Sequence, residues 1–135
     1  MKEKILIISK CPTHPTDAGN RWGILAQAKI LEMLGCDIHF LYVQELPMKK
    51  DIKPYLRDLK ETSEFWGEKF HLFTVSKFQK FVFNVKKEID HRFFHNFWPV
   101  DEVYPSGFTG YVRKLQAKYQ FDACIVNYVY MTKLF

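Results

Sequence analysis

The sequence predicts an α/β domain, a Rossmann-like open parallel sheet with strand order 3-2-1-4. Three observations carry this. The run Ile5-Leu6-Ile7-Ile8 is wholly apolar, without the alternation of a half-exposed strand, as in a strand covered on both faces. A helical pattern follows and stops at Gly35, then a second apolar strand begins at once, which is a βαβ unit with a right-handed crossover. Strand-like and helix-like patterns then alternate to the end of the chain.

The elements follow in order. After the first strand, residues 10–20 hold two prolines and a glycine and read as a loop. Residues 21–34 read as a helix. Ile24, Ala28 and Leu31 keep one face and Ala26, Ile30 and Met33 fill another, so this helix is expected to be largely buried. Residues 36–43 are the second strand. Residues 49–65 form a charged surface helix with Ile52, Tyr55, Leu56 and Leu59 at helical spacing. Phe70–Val75 is the third strand. A basic, aromatic segment spans 77–97. Ser106 is expected to cap a helix reaching Tyr119, and 121–127 is the fourth strand.

Composition sets outer bounds. The chain has 135 residues, 47% of them hydrophobic, enough for one domain with a real core. No apolar stretch approaches the ~18 residues of a membrane span. The apolar run near the N-terminus is too short for a signal peptide. Cys11, Cys36 and Cys124 form no C-x-x-C pair and read as reduced thiols, which points to the cytoplasm. The net charge of +5 permits contact with phosphates or an anionic membrane. No basic stripe or recognition motif calls for nucleic acid. A single domain over 1–135 is expected. A parallel sheet needs cover at its edges, and eight residues after the fourth strand supply little, so the chain reads as part of something longer.

The first loop carries the strongest functional signal. Strand-to-helix connections usually take about 2–6 residues, and this one takes eleven. It lies where open α/β sheets bind ligands, facing the positive end of the next helix. Gly19 allows close backbone approach, Asn20 is placed to cap the helix, and Arg21 adds a permanent charge. His14 also lies in this loop. Neither G-x-G-x-x-G nor a P-loop motif is present.

These residues resemble a known family. Pro12-Thr13-His14-Pro15-Thr16-Asp17-Ala18-Gly19-Asn20-Arg21, between an apolar strand and a helix ending Leu34-Gly35, is similar to the opening of family 4-like GT-B glycosyltransferases. Phe121-Asp122-Ala123-Cys124-Ile125-Val126-Asn127 looks like a later strand of that family. The resemblance implies an N-terminal, acceptor-side domain. A C-terminal domain, absent here, would bind the nucleotide-sugar donor, and sugar would pass to a surface glycan or glycolipid of a bacterium. It implies that Asp17, Gly19, Asn20, Arg21 and His14 line the substrate cleft. This domain would need no cofactor of its own and would be inert alone. The sequence departs from the family at Asn20, where a second glycine is common. It departs again at Asn127-Tyr128, where many members carry histidine, so no catalytic residue carries over.

The alternative is a non-enzymatic flavodoxin-like ligand-binding or signalling module. A receiver-type module needs acidic residues after the first strand, where this chain has Ser9-Lys10-Cys11.

Other patterns have plainer readings. With Phe78 as origin and about 100° per residue, Phe81, Val82, Val85, Ile89 and Phe93 fall within about 60° and read as a core face. Phe83 and Phe94 fall opposite, beside Lys80 and Lys87. These four are the candidate contacts with an anionic membrane surface, and GT-B enzymes acting on lipid-linked acceptors often attach through this domain. The resemblance would place the chain in the cytoplasm, at the inner face of the membrane; the other reading of Phe83 and Phe94 is that they pack against a neighbouring element or the absent domain. His91 and His95 stand at i, i+4, but no third metal ligand is evident. His39 and His71 lie within apolar strands and read as satisfied, half-buried histidines. Cys11 reads as a small filler.

Overall fold

The computed structural model describes residues 2–45, 51–94 and 104–127. Four parallel strands form one sheet in the order β3-β2-β1-β4. The elements run β1 (Lys4–Ser9), α1 (Gly19–Met33), β2 (Asp37–Glu45), α2 (Ile52–Trp66), a short 3-10 turn (Gly67–Lys69), β3 (Phe70–Val75), α3 (Lys77–Phe94), α4 (Phe108–Tyr119) and β4 (Ala123–Val126). The fold is Rossmann-like. β1 lies between β2 and β4, whereas the flavodoxin-like order places it between β2 and β3.

Burial explains the strand sequences. β1 and β2 are central and buried along nearly their whole length, which is why apolar residues dominate both, with His39 and Gln44 the buried polar positions of β2. β2 runs on to Glu45, beyond the expected end, because Gln44 and Glu45 pair with Thr74 and Val75 of β3. The sheet separates two cores. Ile5, Ile7, Ile38, Phe40 and Tyr42 meet Ile24, Leu25 and Ala28 of α1 and Trp66 of α2. On the other face Leu6, Ile8, Leu41 and Val43 meet Phe108 and Leu115 of α4.

Three helix expectations are corrected. α1 starts at Gly19, with Ala18 at the N-cap position and no side-chain cap. Asn20 therefore lies inside the first turn and does not cap the helix. Only the Ile24–Ala28 face of α1 is buried. Ile30 and Met33 are exposed, because a helix lying on a sheet has only one side in contact with it. α4 is preceded by Gly107 in the left-handed region (φ 80°), so Ser106 is not its cap.

α3 turns out reversed. Its start is fixed by a reciprocal pair: Gln79 N–H donates to Ser76 Oγ at 3.1 Å and Ser76 N–H to Gln79 Oε1 at 2.9 Å. Phe83 then packs against the α4-side core. Phe78, Phe81, Val82, Val85, Ile89 and Phe93, expected inside, all face outward. The amphipathic period is as read, but the side turned inward is the opposite one.

Candidate functional site

The β1–α1 loop is pinned to α2. Thr13 is fully buried and accepts the Trp66 indole N–H at 2.8 Å. His14 N–H donates to Thr62 Oγ1 at 3.1 Å, and the His14 ring lies 4.3 Å from that of Phe65. Arg21 donates to Asp58 at 2.7 Å and to the Pro15 carbonyl at 3.0 Å, with Asp17 at 3.3 Å. Arg57 also reaches Asp58, at 2.8 Å. Arg57 also lies 3.7 Å from Asp17, so the two arginines share the two carboxylates, and the ion-paired Arg21 guanidinium serves as a strut between loop, α1 and α2. Burial lowers the His14 pKa and keeps its ring neutral at pH 7.

Gly19 and Asn20 face a different place. With Gly23, Ile24 and Gln27 of α1 and Asn127 beyond β4, they line an open depression of about 350 Å³. It lies at the carboxyl end of the sheet, at the β1–β4 boundary where the chain order reverses, the place where open α/β sheets hold ligands. Asn127 is held there by its backbone N–H, which donates to the Ile8 carbonyl at 2.9 Å, and its Nδ2 donates to Gln27 Oε1 at 3.2 Å. A Cβ added at Gly19 or Gly23 would meet nothing within 4 Å, so the space beside both is open. The lining combines the side-chain amides of Asn20, Gln27 and Asn127 and the glycine backbone, suited to hydroxyl groups, with the apolar Ile24.

The five loop candidates therefore divide. Gly19 and Asn20 line the depression, while His14, Asp17 and Arg21 face α2. Gln27 and Asn127 were not singled out as binding residues from the sequence. Strand order 3-2-1-4 was the signal for Asn127, since it brings the end of the fourth strand beside the end of the first.

Cys11 sits beside this region. Asn20 Nδ2 donates to its Sγ at 2.8 Å. Burial raises the thiol pKa despite the opposing pull of Arg21 and Asn20, which favours the protonated thiol near neutrality.

A second cluster lies toward the amino ends of the strands. His39 Nδ1 and His71 Nε2 share a hydrogen bond of 2.9 Å, and both rings are buried against Tyr119. Burial, and then the neighbouring His39, push His71 down to about 4, and burial lowers His39 as well. The two histidines are satisfied by each other.

The four membrane candidates lie on one side of α3 but differ in their surroundings. Lys80 is exposed and ion-paired with Glu45, Phe83 is partly buried against the α4-side core, Lys87 is half-buried, and Phe94 is exposed. Among the described residues no three His, Cys, Asp or Glu side chains converge as metal ligands; His95 lies outside those residues. No described helix is long and apolar enough to cross a membrane.

No protein-family model, curated protein or solved structure matches the chain.

Proposed function

We propose that this chain is the acceptor-side domain of a GT-B glycosyltransferase, which works with a nucleotide-sugar-binding domain to pass a sugar to a surface glycan or glycolipid acceptor at the inner face of a bacterial membrane. One observation carries the reading: the amide-lined depression at the β1–β4 boundary. Asn20, Gln27 and Asn127 offer both donors and acceptors, which matches a sugar's ring of hydroxyls. The N-terminus of α1 adds free N–H groups and a partial positive charge, favourable to a diphosphate arriving from the facing domain. Because Arg21 is already ion-paired, recognition rests on hydrogen-bond pattern more than on net charge. The domain alone holds no donor and does not transfer sugar.

Amide NMR during titration with oligosaccharides and nucleotide-sugars tests this. Shifts concentrated at Gly19, Asn20, Gly23, Gln27 and Asn127 are expected. Shifts elsewhere, or none at millimolar saccharide, would overturn the site. Sugar transfer by the isolated chain would overturn its passive role.

A further inference from the structure

We propose that the Gln27–Asn127 amide pair reads two adjacent hydroxyl groups on a single sugar ring. The inference rests on the sugar-binding reading of the depression and names the feature of the ligand that is recognised there. Asn127 Nδ2 donates to Gln27 Oε1 at 3.2 Å, which uses one end of each amide. The other two ends, the Gln27 Nε2 donor and the Asn127 Oδ1 acceptor, have no partner among the described residues. Both half-buried side chains line the depression. Their bases are fixed: Gln27 stands on α1 beside the buried Ala28, and the Asn127 backbone N–H is held by the Ile8 carbonyl. Each amide also orients the other, so little rotamer freedom is left to lose when a ligand arrives.

The surroundings select the chemistry. None of the described residues that line the depression is charged. Gln27 lies eight residues beyond Gly19, about 12 Å along α1 and past the first turn in which the helix dipole acts. A neutral group therefore fits at this end, and it must both accept from Nε2 and donate to Oδ1. An ether or a carbonyl only accepts, and leaves Oδ1 unmet. A secondary amide points its N–H and C=O in opposite directions and reaches only one of the two. Adjacent hydroxyls meet both, since each can donate or accept. Gly23 stands between the amide pair and the helix start, with nothing within 4 Å of where its Cβ would be. A sugar ring has room there to lie against α1 with its C–H face toward Ile24. At about 350 Å³ the depression is near the lower end of the range for ligand pockets, which suits one ring rather than a chain of them.

Amide NMR titration of the full chain tests this with the methyl glycosides of glucose, galactose and mannose, each beside its 3-deoxy form. Removing the 3-hydroxyl destroys both vicinal hydroxyl pairs of the ring at once. The parent glycosides are expected to bind at least about tenfold more tightly than the 3-deoxy forms, which leave one amide end unpaired. Gln27→Met keeps the length and helix propensity of the side chain but removes its amide. In that variant the parents should fall to the affinity of the 3-deoxy forms, which should themselves change by less than about threefold. Melting temperature checks that the variant is folded. Equal weakening of parents and 3-deoxy forms by Gln27→Met would give the pair a merely structural role and overturn the proposal. Equal binding of both forms by the wild type, with shifts at Gly19, Gly23 and Asn127, also overturns it and leaves the sugar site standing. No shifts from any glycoside or oligosaccharide would overturn both.

Discussion

Trp66 donates its indole N–H to the hydroxyl of Thr13 at 2.8 Å, across 53 positions of sequence. The same Thr13 hydroxyl also shares a hydrogen bond with His14 Nδ1, 3.1 Å away. One hydroxyl thus joins the ligand loop to α2. Thr13→Val keeps the shape but leaves a buried indole N–H unpaired, and should cost about 1–3 kcal/mol in urea unfolding. A double-mutant cycle with Trp66→Phe should return a coupling of about 1 kcal/mol.

Arg21 separates stability from binding. Its guanidinium spans Pro15 and Asp58, a geometry that lysine cannot reproduce. Arg21→Lys should lower stability by about 1–2 kcal/mol. Any saccharide affinity should change less than about threefold, because the guanidinium lies outside the depression. A larger loss of affinity, with stability unchanged, would return Arg21 to the site.

Gly23 makes the converse case. It is interior to α1, with open space where a Cβ would go. Gly23→Ala should stabilise by about 0.5–1 kcal/mol through helix propensity. Gly23→Leu should keep part of that gain while filling the depression, so that melting temperature holds and saccharide-induced NMR shifts disappear.

Acid should act through His39 and His71. Both pKa values are lowered in the folded chain, so the unfolded state binds more protons below the ordinary histidine value. The stability they confer is complete above about pH 6.5 and is lost as pH falls below it, for His71 down to about 4, at up to about 1.4 kcal/mol per pH unit for each proton taken up. Double protonation would also set two N–H donors head to head across the 2.9 Å contact. Urea midpoints at pH 7.5, 6 and 5 should fall in that order. His39→Phe/His71→Leu should flatten the trend, whatever its effect at pH 7.5.

The two sides of α3 should answer oppositely to truncation. Phe83→Ala removes a side chain packed on the core and should cost about 2–4 kcal/mol. Phe78→Ser removes one that is 74% exposed and should stay within about 0.5 kcal/mol. Thermal melts of both variants distinguish the observed orientation from its reverse.

The same pair shows how far the sequence could be read. The strands and their order were legible, because continuous apolar runs such as 5–8 are what a doubly covered parallel strand requires. The α3 stripe was legible as a stripe. Periodicity has an angle but no sign, however, and six apolar side chains on one side outweighed Phe83 on the other. Ile30 and Met33 of α1 misled for the same reason. The His39–His71 contact needed the β2–β3 register, in which His71 pairs with Leu41 and His39 lies two residues back, and no local pattern encodes that offset. The loop was legible as a long connection beside a helix end. Its division between strut and lining was not, since Arg21 and Asn20 are adjacent in sequence yet face different neighbours.

The histidine contact and the Asn127 depression lie toward opposite ends of one sheet. A saccharide held only by the folded form adds RT ln(1 + [L]/Kd) to its stability wherever it binds. Protonating the histidines draws on that same folding free energy. A ligand at 100 times its Kd would offset about 2.7 kcal/mol of acid destabilisation, moving the acid midpoint downward at a pair of rings it never touches. The two sites then communicate with no moving part between them, through the cooperativity of the fold itself.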